Sequence, residues 1–253
     1  DKGFEQYFIP YESLTDVHVI KPLPILFPQF HEIPQNNAFW GEGFTEWTLL
    51  NKITHDYRGS LLQKPHDDMG QYNILTSEHK TFMKQICEKY NIEYFCYYHY
   101  WFKGQKVMNL PAENLLKNRT GTSFCFSWAN ETWSSRWDGL EHKILIKQEY
   151  GDWKDHIEYL TPFFKHERYI KIENKPLFFI YRPVDIPVQM FTEMKNVFES
   201  HLKKHGFDGI NIVITFNNVG NNVNNEKEEP YLNNVYGVMD FNPNYTNSKQ
   251  FSE

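Results

Sequence analysis

No stretch of this 253-residue sequence approaches the ~20 consecutive apolar residues that a membrane-spanning helix needs. Nor is there a block of lysine or arginine. The 26 basic and 32 acidic side chains are interspersed and leave a formal charge of −6. Nucleic acid and anionic membrane surfaces are therefore not expected as partners. Cysteine is scarce. Cys87, Cys96 and Cys125 make no disulfide framework, and the last two lie inside apolar runs, where buried thiols are expected. That favours a reducing compartment, and with no export signal at the start a cytoplasmic location is expected. The first residue is Asp rather than Met, so the chain reads as an excised part of something longer. Motifs that would name a chemistry are missing too. There is no Gly-x-Ser-x-Gly elbow, no HExxH, no paired CxxC, and neither a Walker pattern nor a glycine-rich fingerprint after any strand. Serine hydrolase, zinc protease, zinc ribbon and nucleotide-fold readings lose their support, and neither cofactor nor metal is expected.

What the sequence has in quantity is aromatic residues: 21 Phe, 16 Tyr and 7 Trp, 17% of the chain. Part of this is core. The remainder suits a carbohydrate site, because sugars present flat C–H faces that stack on rings. Position along the chain has to separate the two.

The apolar pattern alternates strand and helix. "PLPILFPQFH" is a short apolar run with a polar end. "TSEHKTFMKQICEKYN" predicts a helix capped by Thr76 or Ser77, with Phe82, Ile86 and Tyr90 on one face. "IEYFCYYHYW", "SFCFSWANE", "KPLFFIYRP", "INIVITFN" and "GVMDFNP" predict strands, most of them apolar on both faces. "DWKDHIEYLTPFF" and "PVQMFTEMKNVFESHLKKHG" predict helices, the second with Phe191, Met194, Val197, Phe198 and Leu202 on its buried side and Gly206 as its stop. Strands of this kind alternating with helices indicate a parallel sheet covered by helices. "FNNVGNNVNNEKEEPYLNN" reads as an exposed loop, and "HDD" at 66–68 as a polar turn. The expected fold class is α/β, a (β/α)8 TIM-type barrel truncated before its last strands, since six strands are legible by Phe241 and a barrel needs eight. Residues 1–22 are a lead-in and residues 23–253 the barrel domain, incomplete at the C-terminus.

Every apolar run ends abruptly in polar, functional residue types: "PQFH", "YYHYWF", "SWANE", "IYRP", "TFNN", "DFNP". In a barrel these ends share one face, the catalytic one. Glu131 stands there among Trp128, Trp133 and Trp137. A carboxyl against indoles loses solvation and stays protonated, as a general acid for glycosidic cleavage requires. The plainer role is an ion pair with Arg136. Glycosidases need a second carboxyl across the scissile bond, and Glu46 in "FWGEGFTEW" is the candidate, unless it caps a helix or orients His31. His31 and His99 end the first two strands. They are a weak metal pair even with Asp67 or Asp68 near, and hydrogen bonding to sugar hydroxyls or to a carboxylate is the better expectation. Arg136, Asp138, Tyr181 and Arg182 are expected to hold hydroxyls (for Arg136, alternatively a phosphate) or to lock loops by ion pairing. Asp240 ends the last strand.

"FPQFHEIPQNNAFWGEGFTEW", "FCYYHYWFKG", "FCFSWANETWSSRWDG", "ILIKQEY" and "KPLFFIYRP" together resemble the WbsX-type proteins, in that family's order from about Leu23 to Pro243. These proteins are associated with O-antigen and capsule gene clusters and are described as glycosyltransferases or as glycoside hydrolase family 99-like domains. The resemblance implies a (β/α)8 barrel related to the family 99 endo-α-mannosidases and a role with cell-surface polysaccharide. The positions that match are His31, Trp40, Gly43, Glu46, Trp47, His99, Trp101, Trp128, Asn130, Glu131, Trp133, Trp137, Asp138 and Arg182. Members of the family continue past the "DFNP" strand, and the carboxylates acting in family 99 hydrolases lie late in the barrel. The expectation is then an oligo- or polysaccharide substrate, Glu131 as general acid/base, Glu46 as second carboxylate, and the tryptophans as sugar platforms. Glycosyl transfer and a non-catalytic sugar-binding module are the alternatives.

Overall fold

The computed structural model describes residues 21–55, 59, 61, 64–65, 67–117, 121–135, 140–216 and 229–240. Residues 217–228 of the loop expected at 216–234 lie outside them, as do His66, Arg136, Trp137 and Asp138; the end of that loop is instead a short helix, Glu229–Leu232, with Tyr231 buried. The elements run β1 (Ile25–Leu26), α1 (Pro34–Trp40), α2 (Glu46–Lys52), α3 (Ser77–Tyr90), β2 (Tyr94–Phe102), β3 (Gln105–Val107), α4 (Asn109–Lys117) and β4 (Ser123–Trp128). A hairpin of β5 (Trp133–Ser135) and β6 (Leu140–Ile146) follows, then α5 (Trp153–Lys165), β7 (Lys171–Ile172), β8 (Lys175–Ile180), α6 (Val188–Lys204), β9 (Asn211–Phe216), α7 (Glu229–Leu232) and β10 (Gly237–Asp240).

Six parallel strands make the sheet, in the order β1-β2-β4-β8-β9-β10. The main strands therefore lie in chain order, each joined to the next by a crossover, as in the wall of a barrel. The expected α/β class holds. The described residues form a curled parallel half-barrel rather than a closed eight-stranded one. The short β3 and β7 pair antiparallel with β2 and β8 as hairpin returns.

The core lies between sheet and helices. From β4 come Phe124, Phe126 and Trp128, from β8 Phe178 and Ile180, from α5 Trp153, Ile157, Leu160, Phe163 and Phe164, and from α6 Phe191, Met194, Phe198 and Leu202. The apolar face predicted for α6 is the buried one. That of α3 is rotated: His79 and Cys87 are its buried residues, while Tyr90 is exposed. Thr76 caps α3 as predicted, its hydroxyl accepting the His79 N–H at 3.2 Å. Asn91, with φ +52°, ends it in the left-handed region.

Parity along the strands then sorts every side chain. Phe95, Tyr97, His99 and Trp101 of β2 take the helix face. Cys96, Tyr98 and Tyr100 take the other, level with Cys125, Ser127 and Ala129 of the β4 segment. On β8 that second face carries Leu177 and Phe179, with Tyr181 next.

Candidate functional site

The polar residues predicted at strand ends do gather at the C-terminal end of the sheet, but on its two faces. His99, Trp101 and Trp128 belong to the helix face. The His99 ring meets His156 of α5, Nε2 to Nε2 at 2.9 Å. Trp101, 5% exposed, stacks on the His156 ring, 4.9 Å between centroids and 3° between planes. Its indole N–H donates to Asp152 Oδ2 at 2.7 Å. Trp128, 1% exposed, donates its indole N–H to the Trp101 carbonyl at 3.3 Å. These three residues, expected to meet sugar, form core instead. Their hydrogen bonds are spent inside the protein, and His99 is turned away from any metal shared with His31. Trp133 is half-buried, edge-on to Tyr100 and Phe102 at 5.1 and 5.7 Å.

The other face is the one near Glu131. Glu131, two positions past Ala129, follows the parity of that face. Its carboxylate lies 3.9 Å from Arg182 Nη1, and its side chain is 42% exposed. Arg182 also donates from Nε to Asp185 Oδ2 at 2.7 Å. The ion pair expected with Arg136 lies outside the described residues; Glu131 pairs with Arg182, at the end of β8. Burial alone would disfavour the Arg182 charge, but the hydrogen bond and charge of Asp185, then the charge of Glu131, outweigh it.

Glu46 is the first residue of α2. Its backbone N–H donates to the Gln29 carbonyl at 3.3 Å, which ties α2 to the end of the β1 segment. Burial pushes its carboxyl up from the ordinary range. Burial holds the Tyr100 phenol well above the usual tyrosine range, and the charges of Tyr98, Glu131, Glu46 and Tyr181 add to that. One phenol thus lies in the electrostatic reach of both predicted carboxyls. Tyr98 is raised likewise, by burial first and then by Tyr181, Cys96 and Glu131. Its ring is edge-on to Tyr181 at 5.9 Å and to Phe27 at 6.3 Å. Phe27, Tyr98, Tyr100 and Tyr150 carry no warning in the sequence beyond aromatic abundance; parity, read once the helix face is known, would have found Tyr98 and Tyr100.

His31 is 1% exposed. Its Nδ1 lies 2.7 Å from the Pro28 carbonyl, so that nitrogen carries the proton. Burial keeps the ring neutral, which leaves Nε2 an acceptor with no hydrogen-bond partner among the described residues. Trp47 is half-buried against Phe30 and Tyr72, its N–H on the Tyr72 carbonyl at 2.7 Å. Trp40 stacks on Phe44 at 5.5 Å. Asn130 is fully buried and gives its amide to Arg182 and Tyr150 rather than to the open face. Asp240 ends β10. Among the described residues no cluster of three or more His, Cys, Asp or Glu could hold a metal. A cavity of about 690 Å³ lies elsewhere, between α3, α4 and the helix face of β2. Phe95, Tyr97, Cys87 and Arg168 line it and neither carboxyl does, so it is no part of this site.

A family model described as "Glycosyltransferase WbsX" matches residues 22–253. The chain belongs to the WbsX family. An uncharacterised protein, WxcX, of two Xanthomonas campestris pv. campestris strains (B100 and ATCC 33913) is 33% identical over 174 residues. That alignment covers 67% of this chain and 25% of the relative, so the chain spans about a quarter of the length of the curated relatives it matches. Among solved structures, the GH99 endo-α-mannosidase from Bacteroides thetaiotaomicron in complex with BIS-TRIS propane is similar with a TM-score of 0.52 at 15% identity, over 85% of this chain and 57% of that one. At that identity the likeness concerns fold: this WbsX-family chain shares its α/β wall with a glycosidase. No helix among the described residues is long and apolar enough to cross a membrane.

Proposed function

We propose that this WbsX-family chain acts on glycosidic bonds of a bacterial surface polysaccharide, O-antigen or capsule, with Glu46 and Glu131 as its paired carboxyls. The observation that carries the reading is the gathering of Glu131, Arg182, Tyr98 and Tyr181 at the C-terminal end of the sheet, with Glu131 3.9 Å from the Arg182 guanidinium. The environments of the two acids differ in the way acid/base catalysis needs. Glu131 faces a guanidinium, which favours the ionised carboxylate. Glu46 is desolvated, which favours the protonated acid. The roles are therefore the reverse of those expected from the indoles: Glu46 donates the proton to the leaving oxygen, and Glu131 serves as the charged carboxylate, with Arg182 holding it ionised. Tyr98, Tyr181 and Phe27 supply ring faces for the sugar, in place of Trp101 and Trp128.

The test is the release of reducing ends from purified O-antigen and capsule polysaccharides by the native chain, Glu46→Gln and Glu131→Gln. Loss of turnover in both variants, with sugar binding retained, is expected. Turnover unchanged in both would refute the assignment. Glycosyl transfer is the second reading, favoured by the description of the family itself. Saturable binding of a nucleotide sugar, with no reducing ends released, would select it.

A further inference from the structure

The Asn130 amide is bound on every side by the chain around it. Its Oδ1 accepts the Arg182 N–H at 2.8 Å. Its Nδ2 donates to the Arg182 carbonyl at 2.8 Å and to the Tyr150 hydroxyl at 3.2 Å. The Tyr150 hydroxyl in turn donates to the Asn130 carbonyl at 2.8 Å. The β4–β8 ladder ends at Trp128 and Ile180, with one more bond from the Tyr181 N–H to the Trp128 carbonyl at 3.0 Å. Past Tyr181 the next bonds between the two segments run through the Asn130 side chain. Asn130 continues the ladder with a side chain, presenting one acceptor and one donor to the same residue as a neighbouring strand would. The side chains that leave the backbone at this clamp are Glu131 on one strand and Arg182 on the other, 3.9 Å apart.

We propose that Asn130 is a positioning residue: by clamping the Arg182 backbone to the end of β4 it fixes the Glu131 carboxylate against the Arg182 guanidinium. The clamp stands on geometry alone. Its consequence for catalysis rests on the function proposed above. Only an amide of this length fits the task. An aspartate keeps the acceptor for the Arg182 N–H but faces the Arg182 carbonyl and the Tyr150 oxygen without a donor. Tyr150→Phe removes the hydroxyl and leaves both bonds to Arg182.

The test has a readout that needs no saccharide. In the native chain the ¹⁵N signals of the Arg182 guanidinium should differ from those in Glu131→Gln, because the carboxylate beside it is lost. In Asn130→Asp that sensitivity to Glu131→Gln should vanish. An asparagine that only stabilised the fold would lower the melting temperature and leave the sensitivity intact, which would overturn the proposal. Should Asn130→Asp fail to fold, Asn130→Ser, whose hydroxyl is too short to bridge to both Arg182 backbone groups, carries the same test, and an unchanged sensitivity there would overturn the proposal; Tyr150→Phe, which keeps both bonds to Arg182, should stay sensitive. On purified capsule polysaccharide, Asn130→Asp is expected to lose kcat on the order of a hundredfold, as misplaced catalytic groups do, with KM little changed. If guanidinium sensitivity is lost while Asn130→Asp and Glu131→Gln both turn over normally, the clamp is upheld and the catalytic reading of Glu131 falls.

Discussion

His99 and His156 meet Nε2 to Nε2 at 2.9 Å in the layer between the sheet and α5. One ring donates and the other accepts, so the accepting ring must be neutral. Burial enforces this. It pulls His99 down to about 3 and His156 well below the ordinary histidine range, where the charge of His99 lowers it further. An unfolded chain takes up these protons near pH 6.5. Over the interval below that value the unfolded state binds more protons than the folded one. The pair's contribution is therefore complete above pH 6.5 and is lost as pH falls, by up to about 1.4 kcal/mol per pH unit for each histidine. Urea midpoints measured at pH 7.5 and pH 5 should differ in that direction, and His156→Phe should reduce the difference. Equal slopes in both proteins would contradict it.

Glu46 has the opposite sign. Its folded carboxyl titrates above its unfolded one because of burial. The folded state holds the proton longer, so stability falls as pH rises through that window. At neutral pH Glu46→Gln should melt higher than the native chain while losing turnover, the trade expected of a residue kept for chemistry rather than for the fold. A lower melting temperature would show that Glu46 is a structural residue.

Trp128 separates core from platform. As a buried ring among Trp153, His156 and Tyr150 it should cost about 3–5 kcal/mol on truncation to alanine, read by urea denaturation. A sugar platform would change stability by no more than about 0.5 kcal/mol and would change affinity instead.

Arg182→Lys keeps the charge and loses the fork that meets Asp185 through Nε at 2.7 Å and Nη2 at 3.4 Å. These groups are partly exposed, so the change in stability should stay below about 1 kcal/mol. Turnover should fall far more than stability. Proportional losses of both would assign Arg182 to loop anchoring alone.

Asn91 holds φ +52° at the end of α3, and its N–H caps the Cys87 carbonyl. Asn91→Gly should leave thermal stability about unchanged, whereas Asn91→Ala should lose about 1 kcal/mol, because a Cβ without the local amide is strained there.

Much of the fold is legible in the chain because its signals are local. Apolar runs such as "FCFSW" and "PLFFI" are strands in the structure. The 3.6-residue repeat of Phe191, Met194, Phe198 and Leu202 is the buried face of α6. Short elements with little to bury gave no such signal. α1 buries only Asn36 and α2 buries nothing fully, so neither shows an apolar period. The three-residue β5 is too short for alternation to speak.

The site divides along the same line. That polar residues crown the C-terminal ends of the strands, and that Glu131 is among them, follows from the order of residues. Which of them share a face does not. Both faces of β2 and β4 are apolar, so alternation sorts the side chains into two sets without saying which set meets the helices. The packing of α5 decides it, drawing His99, Trp101 and Trp128 into the core and leaving Tyr98, Tyr100 and Glu131 on the other side. The Arg182 partner of Glu131, 51 residues further along the chain, is likewise a product of strand pairing alone, because only the parallel register of β4 with β8 brings their ends together.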